Sequence, residues 1–143
     1  VLVTDGVACL EDAQVSGTVT LRSGASLVVR DSSIAGSLMA DGADEVQLFG
    51  SRISGVTRIS ATTGGITAAG NTFAGSVTLA DNLQVPPNTW AERFSEYGYA
   101  YGPVLAGNTF SGRLSCTGNS EPASDFDAPN EIAGHAAGDC ADL

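Results

Sequence analysis

Along this chain a large apolar residue recurs, followed two positions later by Gly and then by apolar residues at +4 and +6. The anchors are Val15, Ile34, Ile53, Phe73 and Phe110, with Gly17, Gly36, Gly55, Gly75 and Gly112 behind them. Val19 and Leu21 fill the later pair in the first copy, Leu38 and Ala40 in the second, Thr57 and Ile59 in the third. Val77 and Leu79, then Leu114 and Cys116, fill it in the next two, and a weaker sixth copy runs Ile132, Gly134, Ala136. Successive anchors are 19, 19, 20, 37 and 22 residues apart, the 37 being one repeat plus about 17 inserted residues.

A second alternating run precedes the anchors, at −7 and −5: Ala8 and Leu10, Leu27 and Val29, Val46 and Leu48, Ile66 and Ala68, with Leu105 in the fifth copy. Val28, Gln47 and Thr67 lie between these, the pattern of a strand with one buried face. Each repeat therefore predicts two short strands, and no copy buries its apolar stripe alone. Stacked copies do, which predicts a solenoid. A leucine-rich repeat has a similar period, but its Leu-x-x-Leu-x-Leu consensus is absent.

Two residues before the anchors stand Ala13, Ser32, Ser51, Asn71, Asn108 and Asn130. In a parallel β-helix this column stacks at a corner, where side-chain amides bond the neighbouring turn's backbone and one another. Gly50, Gly70 and Gly107 precede three of them and let the backbone bend there. The fold class predicted is all-β, a parallel β-helix of about six short rungs spanning 1–143 as one domain. At ~4.8 Å per rung the rod is roughly 29 Å long.

The insertion, about 83–103, departs from the repeat. It holds the single Trp and all 3 Tyr, as Trp90, Tyr97, Tyr99 and Tyr101, together with Phe94. Pro86 and Pro87 stiffen its start. Thr89 and Glu92 have capping-box spacing, Trp90, Phe94 and Tyr97 then share one face of a short helix, and Gly98 is placed to end it. Two readings stay open. Either this face lies on the β-helix and shields its wall, or some rings stay exposed and stack on sugar rings or a protein partner. In the second reading Tyr99 and Tyr101 point the same way, and Glu92 and Glu96 accept hydroxyl bonds.

Composition narrows the function classes. Eighteen Gly among 143 residues, with abundant Ser and Thr, disfavour a helical bundle. Sixteen acidic residues against 6 basic ones, all Arg, leave a net charge of −10. That balance argues against nucleic acid and anionic lipid as partners. No apolar run approaches the ~20 residues of a membrane-spanning helix.

Three stretches carry a resemblance: CLEDAQVSGTVTLRSGASLVVRDSSIAGSLMA from Cys9 to Ala40, GNTFSGRLSCTGN from Gly107 to Asn119, and PNEIAGHAAGDC from Pro129 to Cys140. Through them the chain resembles a recurrent type of secreted, repeat-containing actinobacterial protein of uncharacterised function. Relatives commonly read Asn–Thr–apolar–x–Gly–Asn, where Ser76 and Arg113 replace the last Asn here. The resemblance implies a right-handed β-helix and export, secreted or at the cell surface, and brings no catalytic motif. In architecture alone the chain also looks like the pectate-lyase and bactofilin types of β-helix.

An exported chain with 3 Cys is expected to hold one pair and one left over. Cys116 takes the inward +6 place of the fifth copy and Cys140 the +8 place of the sixth, adjacent turns, so a Cys116–Cys140 disulfide is predicted. It staples a C-terminal cap at about 117–143. Cys9, between Ala8 and Leu10, faces outward as a free thiol or the partner of another chain.

Catalytic constellations are thin. His135 is the only His, and no Gly-x-Ser-x-Gly elbow accompanies it. Lyases of β-helix type hold calcium with carboxylates on adjacent rungs. Here Asp41, Asp44 and Glu45 share a turn, while Asp81 lies two rungs, about 10 Å, away, too far for one ion. A paired-carboxylate glycosidase meets the same objection. Zinc would need four ligands from one His and scattered Cys. Ice binding needs ranked Thr, and only Thr18 and Thr20 form a Thr-x-Thr pair before Met39, Arg58 and Arg113 interrupt the array.

These observations predict a non-catalytic module without cofactor, structural or adhesive, with a glycan or cell-wall polymer as its candidate partner through the insertion. A polysaccharide-processing enzyme and a self-assembling scaffold are the rival readings. The acidic tail, from Glu121 to Asp142 without an Arg, should blunt the C-terminal end. Contact between copies is then limited to the N-terminal end, and no membrane insertion is expected.

Overall fold

The computed structural model describes residues 2–83 and 102–143. After β1 (Leu2–Thr4), the first coil comprises β2 (Val7–Glu11), β3 (Gln14–Val15) and β4 (Val19–Leu21). The second comprises β5 (Ser26–Arg30), β6 (Ser33–Ile34) and β7 (Leu38–Asp41). β8 (Glu45–Phe49), β9 (Arg52–Ile53) and β10 (Thr57–Ser60) make the third. β11 (Gly65–Ala69), β12 (Thr72–Phe73) and β13 (Val77–Ala80) make the fourth. β14 (Val104–Ala106), β15 (Thr109–Phe110) and β16 (Leu114–Thr117) follow, then a reduced sixth coil of β17 (Glu131–Ile132) and β18 (Ala136–Gly138).

The coils stack into three parallel sheets. Sheet A is β1-β4-β7-β10-β13-β16-β18, sheet B is β2-β5-β8-β11-β14, and sheet C is β3-β6-β9-β12-β15-β17. Register follows the sequence repeat, so Ile34 lies beside Ile53 and Phe73 beside Phe110. The last pair stacks with ring centroids 5.0 Å apart and planes 6° from parallel. In the sixth coil Ser124, bridged to Val104, stands where a sheet B strand would be. This is the parallel β-solenoid of about six turns that the periodicity predicts. Among the described residues there is no helix; the helix expected around Trp90, Phe94 and Tyr97 lies outside them.

Each anchor is followed by Gly because the coils touch backbone to backbone at the C–A corner. A Cβ on Gly36 would lie 2.5 Å from the carbonyl carbon of Gly17, and one on Gly55 would lie 2.7 Å from that of Gly36. No side chain fits such a column. At the B–C corner a positive φ recurs from coil to coil, 46° at Asp31, 55° at Gly50 and 66° at Gly70. Asp tolerates that conformation better than most residues with a Cβ.

The interior is one apolar column, with Leu27, Ile34, Leu38, Val46, Ile53, Leu79, Phe110 and Leu114 all essentially inaccessible. Its C-terminal end is closed. Cys116 and Cys140, both 0% exposed, are disulfide-bonded across adjacent coils with Cα atoms 5.3 Å apart. Ala123 and Leu143 pack against the same core. The predicted staple is therefore present, and Cys9 is a free, exposed cysteine on the outer side of β2.

Candidate functional site

Two polar ladders run along the rod at its corners. In the first, the amide oxygen of Asn108 accepts from the Asn71 N–H at 2.9 Å and from Asn71 Nδ2 at 3.1 Å. Asn130 repeats this toward Asn108, at 2.9 and 3.1 Å. Toward the N-terminus the column continues through hydroxyls, Ser51 Oγ accepting from the Ser32 N–H and Ser32 Oγ from the Ala13 N–H, each at 3.0 Å. The second ladder was not foreseen. Asn82 Oδ1 accepts from Thr62 N–H and Oγ1 at 3.1 and 3.0 Å, and Asn119 Oδ1 accepts from Asn82 Nδ2 at 2.9 Å.

The outer face of sheet A is the polar surface that the alternation implies. Thr20, Met39, Arg58, Thr78 and Ser115 stand side by side along it. Thr20, Met39, Asp41, Arg58, Ser60 and Asp81 line a shallow depression of about 530 Å³ there. Ser60 Oγ donates to Asp41 at 3.0 Å, and Thr63 Oγ1 to Asp44 at 3.3 Å. Among the described residues no three His, Cys, Asp or Glu side chains come together as a metal site. His135 is exposed in the last coil.

The outer face of sheet B corrects the sequence reading. Val28, Gln47 and Thr67 fit a strand with one buried face, yet they are 9%, 0% and 6% exposed, so these strands are buried on both sides. At the C-terminal margin, Phe126 and Ala128 pack on Val104 and Ala106 as a second small apolar cluster. Arg30 lies over the Phe49 ring, 5.8 Å from its centroid. Both polar atoms of Gln47, and Oε1 of Glu45, are buried without a hydrogen-bond partner. Burial raises the Glu45 pKa. The Gln47 amide, near but outside hydrogen-bonding geometry, lowers it, and the Asp44 charge raises it further.

The candidate contact residues Trp90, Glu92, Glu96, Tyr97, Tyr99 and Tyr101 lie outside the described residues. Their tethers are described. Leu83, 54% exposed, donates its N–H to the Thr62 carbonyl at 2.8 Å, and Gly102 is buried against the Glu121 carbonyl, which a Cβ would approach to 2.6 Å. Comparison with protein-family models, with curated proteins and with solved structures found no match.

Proposed function

We propose that the chain is an exported, non-catalytic module, a right-handed β-solenoid that serves as a structural or adhesive element and holds a glycan or cell-wall polymer through the insertion at 83–103. The observation that carries this reading is the tethering of the insertion. The chain leaves the fourth coil at Leu83 and rejoins the fifth at Gly102, so the aromatic-rich stretch between is anchored at both ends to one corner of a laddered rod. A fixed scaffold lowers the entropy lost when such residues engage a ligand. Export is supported by the buried Cys116–Cys140 bond, since structural disulfides persist in oxidising compartments.

The test is a glycan array, run with and without calcium, on the wild type and on Tyr99→Ala/Tyr101→Ala. Binding by the wild type and at least tenfold weaker binding by the variant, with an unchanged melting temperature, is the expected result. A wild type that binds no glycan or cell-wall preparation would remove the adhesive reading.

A further inference from the structure

We propose that Asp5–Gly6, in the turn between β1 and β2, is a site of spontaneous isoaspartate formation, and that the conversion releases β1 from sheet A. The inference is independent of the glycan-binding reading above.

The chemistry needs an Asp carboxyl beside an amide nitrogen that nothing shields or holds. The Gly6 nitrogen attacks Cγ of Asp5, a C–N bond forms, and the carboxyl OH leaves as water with the amide proton. Water then adds to the resulting succinimide. Opening at the former main-chain carbonyl restores a carboxylate there and leaves the chain running through Cβ. The net reaction is an isomerisation without change of mass. Glycine favours the first step, because it has no Cβ to crowd the nitrogen and it lets the turn rearrange.

The chain contains two Asp-Gly pairs, at Asp5 and at Asp41, and the fold treats them differently. The Asp5 side chain is 81% exposed, Gly6 has a φ of 78°, and a Cβ on Gly6 would meet nothing within 4 Å. Among the described residues no hydrogen bond engages the Gly6 N–H. Arg22 lies 3.4 Å from the Asp5 carboxylate, but both partners are exposed, and such a pair holds its members only weakly. At Asp41–Gly42 both reacting groups are occupied. The Gly42 N–H donates to the Ser60 carbonyl at 2.9 Å, and Asp41 Oδ1 accepts from Ser60 Oγ at 3.0 Å. Asp41 also ends β7 in register with Ser60 of β10, so turning it toward the succinimide would break the sheet.

The backbone on either side of Asp5 is pinned to the first coils. The Thr4 carbonyl accepts from the Arg22 N–H at 3.0 Å, and the Gly6 carbonyl from the Ser26 N–H at 2.8 Å. Isoaspartate inserts one further main-chain atom between these two points, so one attachment must give way. β1 keeps register with β4 through only Leu2, Val3 and Thr4, whereas β2 pairs with β5 along all of Val7–Glu11. The shorter strand therefore comes away, and the edge of β4 is uncovered.

The experiment incubates the full chain at mildly acidic pH and maps its peptides by electron-transfer mass spectrometry, which distinguishes isoaspartate from aspartate. In the folded protein, isoaspartate at Asp5 should exceed that at Asp41 at least tenfold, and in urea the two should form at similar rates. Amide exchange followed by NMR reads the second half of the proposal. In the converted protein the Arg22 N–H should exchange at least tenfold faster, while the Ser26 N–H keeps its protection. Asp5→Glu, whose longer side chain does not close the five-membered ring, should stay unmodified, with Arg22 exchange constant over the same incubation. Isoaspartate no more abundant at Asp5 than at Asp41, or an excess that persists in urea, would overturn the site. Conversion that leaves Arg22 exchange unchanged, or that unprotects Ser26 instead, would overturn the release of β1.

Discussion

Thr57 occupies an inward place in sheet A between Leu38 and Val77, is 1% exposed, and its Oγ1 has no hydrogen-bond partner. A hydroxyl in that position loses its water without compensation, at a cost of about 1–3 kcal/mol. Thr57→Val keeps the branched shape and should therefore stabilise the protein by about 1 kcal/mol in urea unfolding; a loss of stability would mean the hydroxyl has a partner. Glu45 gives the residue scale a pH signature. Burial lifts its pKa above the ordinary 4.5, so the native state binds the proton more tightly than the unfolded chain does. Stability then falls as the pH rises from the unfolded value through the raised one, and stays lower above it. Among the described residues the flanking Ser26 and Gly65 do not titrate, and Asp44 is the neighbouring charge. Glu45→Gln should raise the melting temperature more at pH 7 than at pH 4, and an equal gain at both would contradict the assignment.

At the scale of elements, the ladders explain why so many short strands hold together. Asn71 accepts from the Ser51 N–H at 2.9 Å and donates to the Leu48 carbonyl at 2.8 Å, tying two coils at a point where neither sheet B nor sheet C continues. Asn71→Ala strands both buried backbone groups, each worth about 1–3 kcal/mol. The melting midpoint should fall below that of Ser51→Ala, whose hydroxyl accepts from the Ser32 N–H of the adjacent coil but donates only to the Phe49 carbonyl two residues away in its own coil. Equal losses would show the amide ladder to be no more than a row of hydroxyls. The first ladder was legible because its six residues keep a fixed offset from the anchors. The second keeps an offset too, nine residues after Ile53, Phe73 and Phe110, but Gly24 and Ala43 fill that place in the first two coils, so fewer copies mark it as a polar column. Burial of Gln47 escaped for a different reason. Alternation along β8 tells which side faces away from the core, and says nothing of what lies on that other side. Gln47 was thus legible in the sequence only as an outward polar position.

The described solenoid has two unlike ends. Its coil count, register and stapling cysteines were readable because a solenoid repeats one local solution, so each copy confirms the others. The asymmetry of the ends is a property of the assembled rod. Among the described residues, β2 and β3 at one end border no further strand of sheets B and C, and Ala8, Leu10 and Val15 of the core stripe are only partly buried. At the other, the Cys116–Cys140 bond holds the last coil over the core, with residues 24 apart in sequence joined and Leu143 packed beneath. Closing a segment of that length contributes about 3 kcal/mol in the chain-entropy model. Removing it through Cys116→Ala/Cys140→Ala should lower stability by about that amount. It should also loosen the sixth coil and expose the edges of β15 and β16. A rod open at both ends stacks head to tail, whereas one closed at its C-terminal end stops at contacts through the N-terminal end. Light scattering at increasing concentration should accordingly show the wild type limited to monomer or dimer and the double variant growing further. Filaments of the wild type at neutral pH would show that the disulfide-held coil does not close the rod.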